Sequence, residues 1–479
     1  PDGRKIAFTA KDKESSDEKE LKEKCFAQEV YEEKLENNHV WVSDLPKADA
    51  WDDAEETKPL CFDVGGHASG VRWSPRGKQL AVAVAPTPLI DDHYMKRKIH
   101  VIGAGDGSPL GVIENPGKLS QIGYSPDGKY LAMISGVDIH DPREGRLMVV
   151  SVPGNAVPGN AGPSGDGPDK GKPRDLMPDY QAHVNSFAFK DDQTLLWVAG
   201  EGTAATVGEV TLDGEKNLLI DATDQKLTSP VLYGLTLSEN GRTAALIGNT
   251  STHPSEVFLL SKDGHAARRL TDSNPQLDEM QFADQEVVRF KARDGVELEG
   301  VLVYPLHYQK GRRYPLILCV HGGPESHVSN GWVTYYSRPG QVAAARGFAV
   351  FYPNYRGSTG RGVEFSKLGQ ADAAGKEFDD LVDAVDHLAE IGLVDRDKVG
   401  ITGGSYGGYA SGKDCADNYG HACETDCHNK WWGKGSVDKG RTVWRDGRGV
   451  HPNWIIPNAG DPIAGSLRWM DTVVQVSKA

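Results

Sequence analysis

Tyr124-Ser125-Pro126-Asp127-Gly128-Lys129-Tyr130-Leu131-Ala132 is the stretch on which the fold turns. An aromatic residue closes one apolar run, Ser-Pro-Asp-Gly reverses the chain, and a β-rich run follows. Proline presets φ and Asp-Gly supplies the reversal, so the phrase reads as a hairpin. It returns as Trp73-Ser74-Pro75-Arg76-Gly77-Lys78-Gln79-Leu80-Ala81-Val82, and as Pro1-Asp2-Gly3-Arg4-Lys5-Ile6-Ala7-Phe8 without its beginning. Weaker copies are Phe189-Lys190-Asp191-Asp192-Gln193-Thr194-Leu195-Leu196 and Leu237-Ser238-Glu239-Asn240-Gly241-Arg242-Thr243-Ala244. Copies fall on the order of fifty residues apart, the length of a four-stranded propeller blade. One blade cannot bury its own faces, so several must stack. Residues 1–280 are therefore expected to form a β-propeller lacking its N-terminal part. A β-sandwich with chance turns is the weaker reading, because the same neighbours flank the turn each time.

Two insertions interrupt the repeat. Glu14 to Glu36 is charged and helix-compatible, and reads as a solvated excursion. Residues 152–174, dense in Gly, Pro, Asp and Asn, read as a loop with no packed core.

Bulk properties narrow the function classes. The chain has 479 residues, too many for one core. A net charge of −15 argues against a nucleic-acid partner, since phosphate binding needs a basic surface. No apolar run is long enough to span a bilayer, so no membrane partner is expected. Six cysteines in this length make no disulfide framework. Cys319 sits in an apolar strand and reads as a buried thiol; Cys25 and Cys61 could be free or paired. The sequence decides neither localisation, cytoplasmic or periplasmic and secreted alike, nor oligomeric state. It calls for no cofactor.

After residue 280 the pattern changes. Val287-Val288-Arg289-Phe290 and Leu298 to Val303 read as a strand pair around the turn Arg293-Asp294-Gly295. Pro315 to Val320 is a continuous apolar run, the mark of a strand buried on both faces, and it leads into His321-Gly322-Gly323-Pro324. Gln341 to Arg346 reads as a short helix and Phe348 to Tyr352 as a second buried strand. Glu377 to Ile391 reads as a sheet-covering helix with its acids on the outer face and no chemistry. Val399-Gly400-Ile401-Thr402 is a third strand, and strands alternating with helices imply a mostly parallel sheet. That strand ends in Gly403-Gly404-Ser405-Tyr406-Gly407-Gly408, a Gly-x-Ser-x-Gly motif in the context it needs. So sharp a strand-to-helix turn strains the serine backbone, and its flanks must lack side chains. The Tyr406 N–H is expected to face a tetrahedral oxyanion.

A Ser-Pro-Asp-Gly propeller followed by His321-Gly322-Gly323-Pro324, Tyr355-Arg356-Gly357-Ser358 and Gly403-Gly404-Ser405-Tyr406-Gly407-Gly408 resembles the prolyl oligopeptidase family of serine peptidases. Within that family, the acylaminoacyl-peptidase-like and dipeptidyl-peptidase-like bacterial enzymes are most similar. The resemblance runs from residue 1 to about 409. It implies a β-propeller followed by an α/β-hydrolase domain, incomplete here, with residues 281–409 as its N-terminal half. It further implies Ser405 as nucleophile and the N–H groups of Gly323 and Tyr406 as oxyanion hole. The partners would be short or unfolded peptides, admitted past a capping propeller. An esterase shares the elbow but normally lacks a propeller. A non-catalytic propeller binding protein with an inactive hydrolase remnant is the alternative outside enzymes.

The resemblance stops after Tyr409. Residues 410–436 contain no Leu, Ile, Val or Met, so residues 410–479 read as an aberrant tail. It holds Trp431, Trp432, Trp444, Trp454 and Trp469, half of the chain's 10 tryptophans. A shifted reading frame or truncated gene product accounts best for this composition. A divergent tail would instead supply Asp438 or Asp446 with His451, in the order Ser, Asp, His. A small metal site from Cys415, Cys423, Cys427 and His428 is the third reading, though it lacks the usual Cys-x2-Cys knuckle. The coding DNA, translated in another frame beyond codon 409, is expected to give aliphatic-rich sequence with an Asp and a later His. Reading all three frames checks this, and no apolar periodicity in either alternative frame removes the frameshift.

Overall fold

All five copies of the repeat phrase fall at one structural position, the loop between the first two strands of a sheet or the entry to its first recorded strand. The computed structural model describes residues 2–26, 35–46, 58–140, 145–153, 172–222, 229–335 and 338–411. Five antiparallel sheets come first, each with its strands in chain order. The first has three strands, Lys5–Ala10, His39–Asp44 and Leu60–Phe62. The next four have four strands each and begin at His67–Trp73, Leu119–Tyr124, His183–Phe189 and Val231–Leu237. In all four, a register shift breaks the pairing of the first strand with the second. Such a bulge adds twist, which a propeller blade requires.

The turn chemistry explains why the phrase recurs. The Ser74 hydroxyl accepts the Gln79 N–H at 3.0 Å, Ser125 that of Tyr130 at 3.0 Å, and Ser238 that of Thr243 at 2.9 Å. Asp127 Oδ1 accepts the Lys129 N–H and the Ser125 hydroxyl, and Asn240 plays the same part beside Ser238. Gly77, Gly128 and Gly241 close the turns at φ of 67°, 75° and 66°, where a Cβ is strained. Ser261-Lys262-Asp263-Gly264 makes the same bonds between the third and fourth strands of the fifth sheet, a copy the sequence reading did not single out.

The apolar cores lie between sheets. Leu131, Met133, Met148 and Val150 of the third pack with Ala81, Ile99 and Val101 of the second. Ala132, Ile134 and Leu147 pack with Phe187, Leu195 and Trp197 of the fourth. Leu196, Val198 and Val207 pack with Leu232, Leu246 and Phe258 of the fifth. The second, third and fourth sheets thus each give their two faces to two neighbours, the second packing on the first through Leu80, Val82 and Val84, as a stack demands.

Within the first insertion, helix Ser16–Glu23 opens on a Ser15–Glu18 capping box and buries none of its side chains. It is the surface excursion expected. Residues 154–171, most of the expected Gly/Pro-rich loop, lie outside the described residues, as do the candidates of the tail.

The second architecture is one five-stranded sheet. Its strands are β1 (Gln285–Lys291), β2 (Glu297–Val303), β3 (Tyr314–Val320), β4 (Ala349–Asn354) and β5 (Val394–Gly403), in spatial order β1-β2-β4-β3-β5. Pairing is parallel for β3 with β4 and for β3 with β5, but antiparallel for β1 with β2 and β2 with β4. The expected parallel character therefore holds for one half only. For β1 with β2 the reason is local: the tight Arg293-Asp294-Gly295 turn can return a chain only antiparallel. Helix Lys376–Glu390 covers one face through Phe378, Leu381, Val385 and Leu388, against Leu316, Leu318 and Phe351. Cys319 is buried in β3, whereas Cys25 and Cys61 are free and exposed. A propeller-type β part followed by an α/β-hydrolase sheet is the fold.

Ser125 is fully buried and Ser238 exposed, although both make the same turn. Ser125→Ala is expected to cost about 1–3 kcal/mol, because it leaves the Tyr130 N–H unsatisfied, and Ser238→Ala much less. Urea unfolding of both variants checks the difference; equal losses would show that burial does not set the cost.

Candidate active site

Two stretches meet at the carboxyl ends of β3 and β5. Val320 is in register with Gly403 across this parallel pair, so His321-Gly322-Gly323 and Gly404-Ser405 leave the sheet side by side. The approach is close enough to dictate residue type. A Cβ on Gly322 would stand 3.0 Å from Ser405 Cβ and 2.5 Å from the Gly404 carbonyl oxygen. A Cβ on Gly403 would meet the Gly407 backbone at 2.5 Å, and one on Gly407 would run into the Val320 carbonyl. Backbone cannot give way as a flexible side chain can, so glycine is compulsory at all three. Gly404 has open space instead and is not sterically required.

Ser405 itself sits at φ +56°, in the left-handed region that costs a non-glycine residue about 1–2 kcal/mol. It is exposed among the described residues, so its side chain stands clear of the sheet. The helical residues 406–411 start directly after it, with the Gly408 and Tyr409 N–H groups both bonded to the Ser405 carbonyl at 2.9 and 3.1 Å. Tyr406 lies in the first turn, where backbone N–H groups have no intrahelical acceptor. Gly323, at φ +136°, is also exposed and lines a cavity of about 380 Å3. Arg97, Lys118 and His183 of the propeller and Glu325 of the hydrolase part line it too. A larger cavity of about 1050 Å3, lined by Glu201, Arg289, Glu299 and Arg361, includes none of Ser405, Gly323 or Tyr406.

Beneath these residues lies a support that the sequence reading missed. Tyr355 stacks on the His321 ring at 4.3 Å between centroids and donates its hydroxyl to the His321 carbonyl at 2.9 Å. Ser358 Oγ is 3.0 Å from His321 Nε2 and donates to the Tyr355 carbonyl. Arg356 is buried between Asp380 and Asp294, with bonds of 2.6–3.1 Å to both. Its hydrogen bonds hold the Asp294 carboxyl down at about 2, whereas burial pushes that of Asp380 up. The Tyr355-Arg356-Gly357-Ser358 motif, known only through the resemblance, thus braces the loop beside Ser405.

The helix Lys376–Glu390 also departs from expectation. Glu377 and Asp380 are buried rather than on an outer solvated face. The physical reason is partnership: Asp380 meets Arg356, while Glu377 accepts the Tyr406 hydroxyl at 2.6 Å and the Gly375 N–H. Helical spacing identifies the apolar stripe but not a buried carboxylate whose partner comes from another strand end.

Residues 334–419 match the prolyl oligopeptidase family. The uncharacterized peptidase YuxL of Bacillus subtilis (strain 168) is 37% identical over 158 residues, 33% of this chain and 23% of that protein. Dipeptidyl aminopeptidase BIII of Pseudoxanthomonas mexicana is 38% identical over 164 residues, covering 33% and 23%. Among solved structures, the acylaminoacyl peptidase of Pyrococcus horikoshii superposes with a TM-score of 0.63 at 18% identity, over 87% of this chain and 60% of that one. The fold and the serine elbow together define an α/β-hydrolase-type chain preceded by a propeller. Within that class, residues 334–419 are similar to the prolyl oligopeptidase family, as are the stretches shared with these two relatives. It spans less than a quarter of the length of these two relatives.

Burial holds His321 down to about 3 and His327 to about 4, so both are neutral in the fold near pH 7. In the unfolded chain they take up protons below about pH 6.5. The unfolded state then binds more protons, so stability rises with pH between the folded and unfolded values and is lost as pH falls. The slope is up to about 1.4 kcal/mol per pH unit for each histidine. Urea unfolding from pH 7 to 5 is expected to show this loss, with a shallower slope in His327→Gln. An unchanged slope in that variant would remove His327 from the account.

Proposed function

We propose that the chain is built as a serine peptidase acting on short peptides, with Ser405 as nucleophile and the Gly323 and Tyr406 N–H groups as oxyanion donors. The observation that carries this is Ser405 at positive φ at the end of β5, within one Cβ of the loop after β3. Strain of this kind is retained where geometry serves chemistry. The hydroxyl would attack a peptide carbonyl, and the two N–H groups would receive the charge that develops on its oxygen. Expulsion of the amine would leave an acyl-enzyme for water to cleave. The named relative and the superposing structure suggest dipeptidyl- or acylaminoacyl-type substrates, since their names carry those activities.

Full rate needs a general base. His321 is engaged with Ser358 and Tyr355 and is held neutral by burial, so it does not suit that role. The base would come from beyond residue 411, where His451 with Asp438 or Asp446 are the candidates and lie outside the described residues. The second reading, a propeller binding protein with an inactive hydrolase part, is favoured by the absence of Leu, Ile, Val and Met over 410–436.

A fluorophosphonate probe separates the two. In this chain it is expected to label Ser405 weakly or not at all, and Ser405→Ala not at all. Stoichiometric labelling that Ser405→Ala abolishes would mean a working base in the tail, to be tested with His451→Ala. In a version whose residues beyond 411 are replaced by a family-like C-terminal half, Ser405→Ala is expected to abolish peptide hydrolysis while folding survives. Retained hydrolysis there would sink the assignment of Ser405.

A further inference from the structure

We propose that His253, Asp272 and Glu256, at the end of the propeller part, form a binding site for one Zn2+ ion. His253 opens the strand His253–Leu260, Glu256 lies three residues along it, and Asp272 follows the last strand of the same sheet. One imidazole nitrogen and one oxygen from each carboxylate all lie within 4.8 Å of one another.

The imidazole carries the argument. His253 is 6% exposed, so its nitrogens cannot turn to bulk water. Nδ1 lies 3.0 Å from the Pro254 carbonyl, which can only accept, so Nδ1 carries a proton and Nε2 is the nitrogen left to meet a ligand. Nε2 is buried with no hydrogen-bond partner among the described residues. It faces Asp272 Oδ1 at 3.4 Å. Two ligands about 2.0–2.1 Å from a tetrahedral zinc stand about 3.3–3.4 Å apart, so the pair already has the spacing of two zinc ligands.

Glu256 is the third candidate ligand. Its Oε1 accepts the Ser273 N–H, while Oε2 accepts the Thr271 and Ser273 hydroxyls. Oε1 approaches the imidazole at 4.0 Å on its Nδ1 side, so it reaches an ion at Nε2 through a bound water. An ionised carboxylate has about four lone-pair positions, so Oε1 retains one for a metal or its water. A cavity of about 310 Å3 beside His253 has room for water to fill the remaining position. Arg269 Nη2, 3.4 Å from Asp272 Oδ1, is the competing cation and must swing aside when the ion enters. Imidazole with carboxylates suits zinc and its first-row neighbours rather than calcium. The ion would staple the strand His253–Leu260 to the segment that leaves the last propeller sheet.

The test uses the full chain, stripped with a chelator and titrated with Zn2+ against a chromophoric competitor, then with Co2+ for its absorption spectrum. One equivalent should bind, with a spectrum of nitrogen and oxygen ligands and a higher thermal midpoint on loading. His253→Gln should lose that equivalent, and Asp272→Asn, whose side chain is partly exposed, should weaken it at least about tenfold. Arg269→Gln should tighten it, and Cys415→Ser with Cys423→Ser and Cys427→Ser should leave it unchanged. Circular dichroism confirms that each variant folds, and Asp272→Asn carries the test if His253→Gln does not fold. No bound equivalent, unchanged affinity in folded Asp272→Asn, or thiolate-to-cobalt bands that vanish in the triple cysteine variant would each overturn the proposal.

Discussion

The close approach of two strand ends governs this hydrolase sheet. Gly322, Gly403 and Gly407 lie where β3 and β5 deliver their backbones within a methyl group of each other. Had any of them carried a Cβ, β5 could not turn into residues 406–411 against β3, and Ser405 would have no fixed place. The parallel register of Val320 with Gly403 is therefore a constraint on sequence as much as on geometry. Everything beneath serves to keep the two ends in that position. Tyr355 and Ser358 hold His321, Arg356 ties its loop to Asp380 and Asp294, and Glu377 holds the Tyr406 hydroxyl.

That bracing is costly if broken. A guanidinium as buried as that of Arg356 needs its partners, and loss of one leaves an uncompensated charge. Three segments are joined at that one side chain: the turn between β1 and β2, the loop after β4, and the long helix. The arrangement explains why a helix that reads as plain sheet cover takes part in shaping the elbow.

How much of this was legible in the sequence follows from the range of each interaction. The blade turns were, because Ser125, Asp127 and Gly128 bond within five residues and leave a local signature. Ser405 was, because its motif states its own steric demand. The parallel half of the sheet could be read from β3, β4 and β5, but β1 and β2 also look apolar and pair the other way. Asp380 and Asp294 could not be read as a pair, since 24 and 62 residues separate them from Arg356. His253 and Asp272 were invisible for the same reason: neither residue lies in a motif, and only the strand ends bring them together.

The seam between the propeller and the hydrolase part has its own character. Gly202 donates its N–H to the Gly360 carbonyl at 2.7 Å, and Asn330 donates to that of Thr203 at 2.6 Å. Lys118 pairs with Glu325, and Lys367 with Asp138 at 2.6 Å. These contacts can be exchanged for water at little cost, unlike the apolar packing between blades. A join of this kind is held by polar contacts, and one of them, the Lys118–Glu325 pair, lies two residues from Gly323. Dissolved ions would weaken these two ion pairs by screening, whereas they leave the apolar packing between blades unaffected.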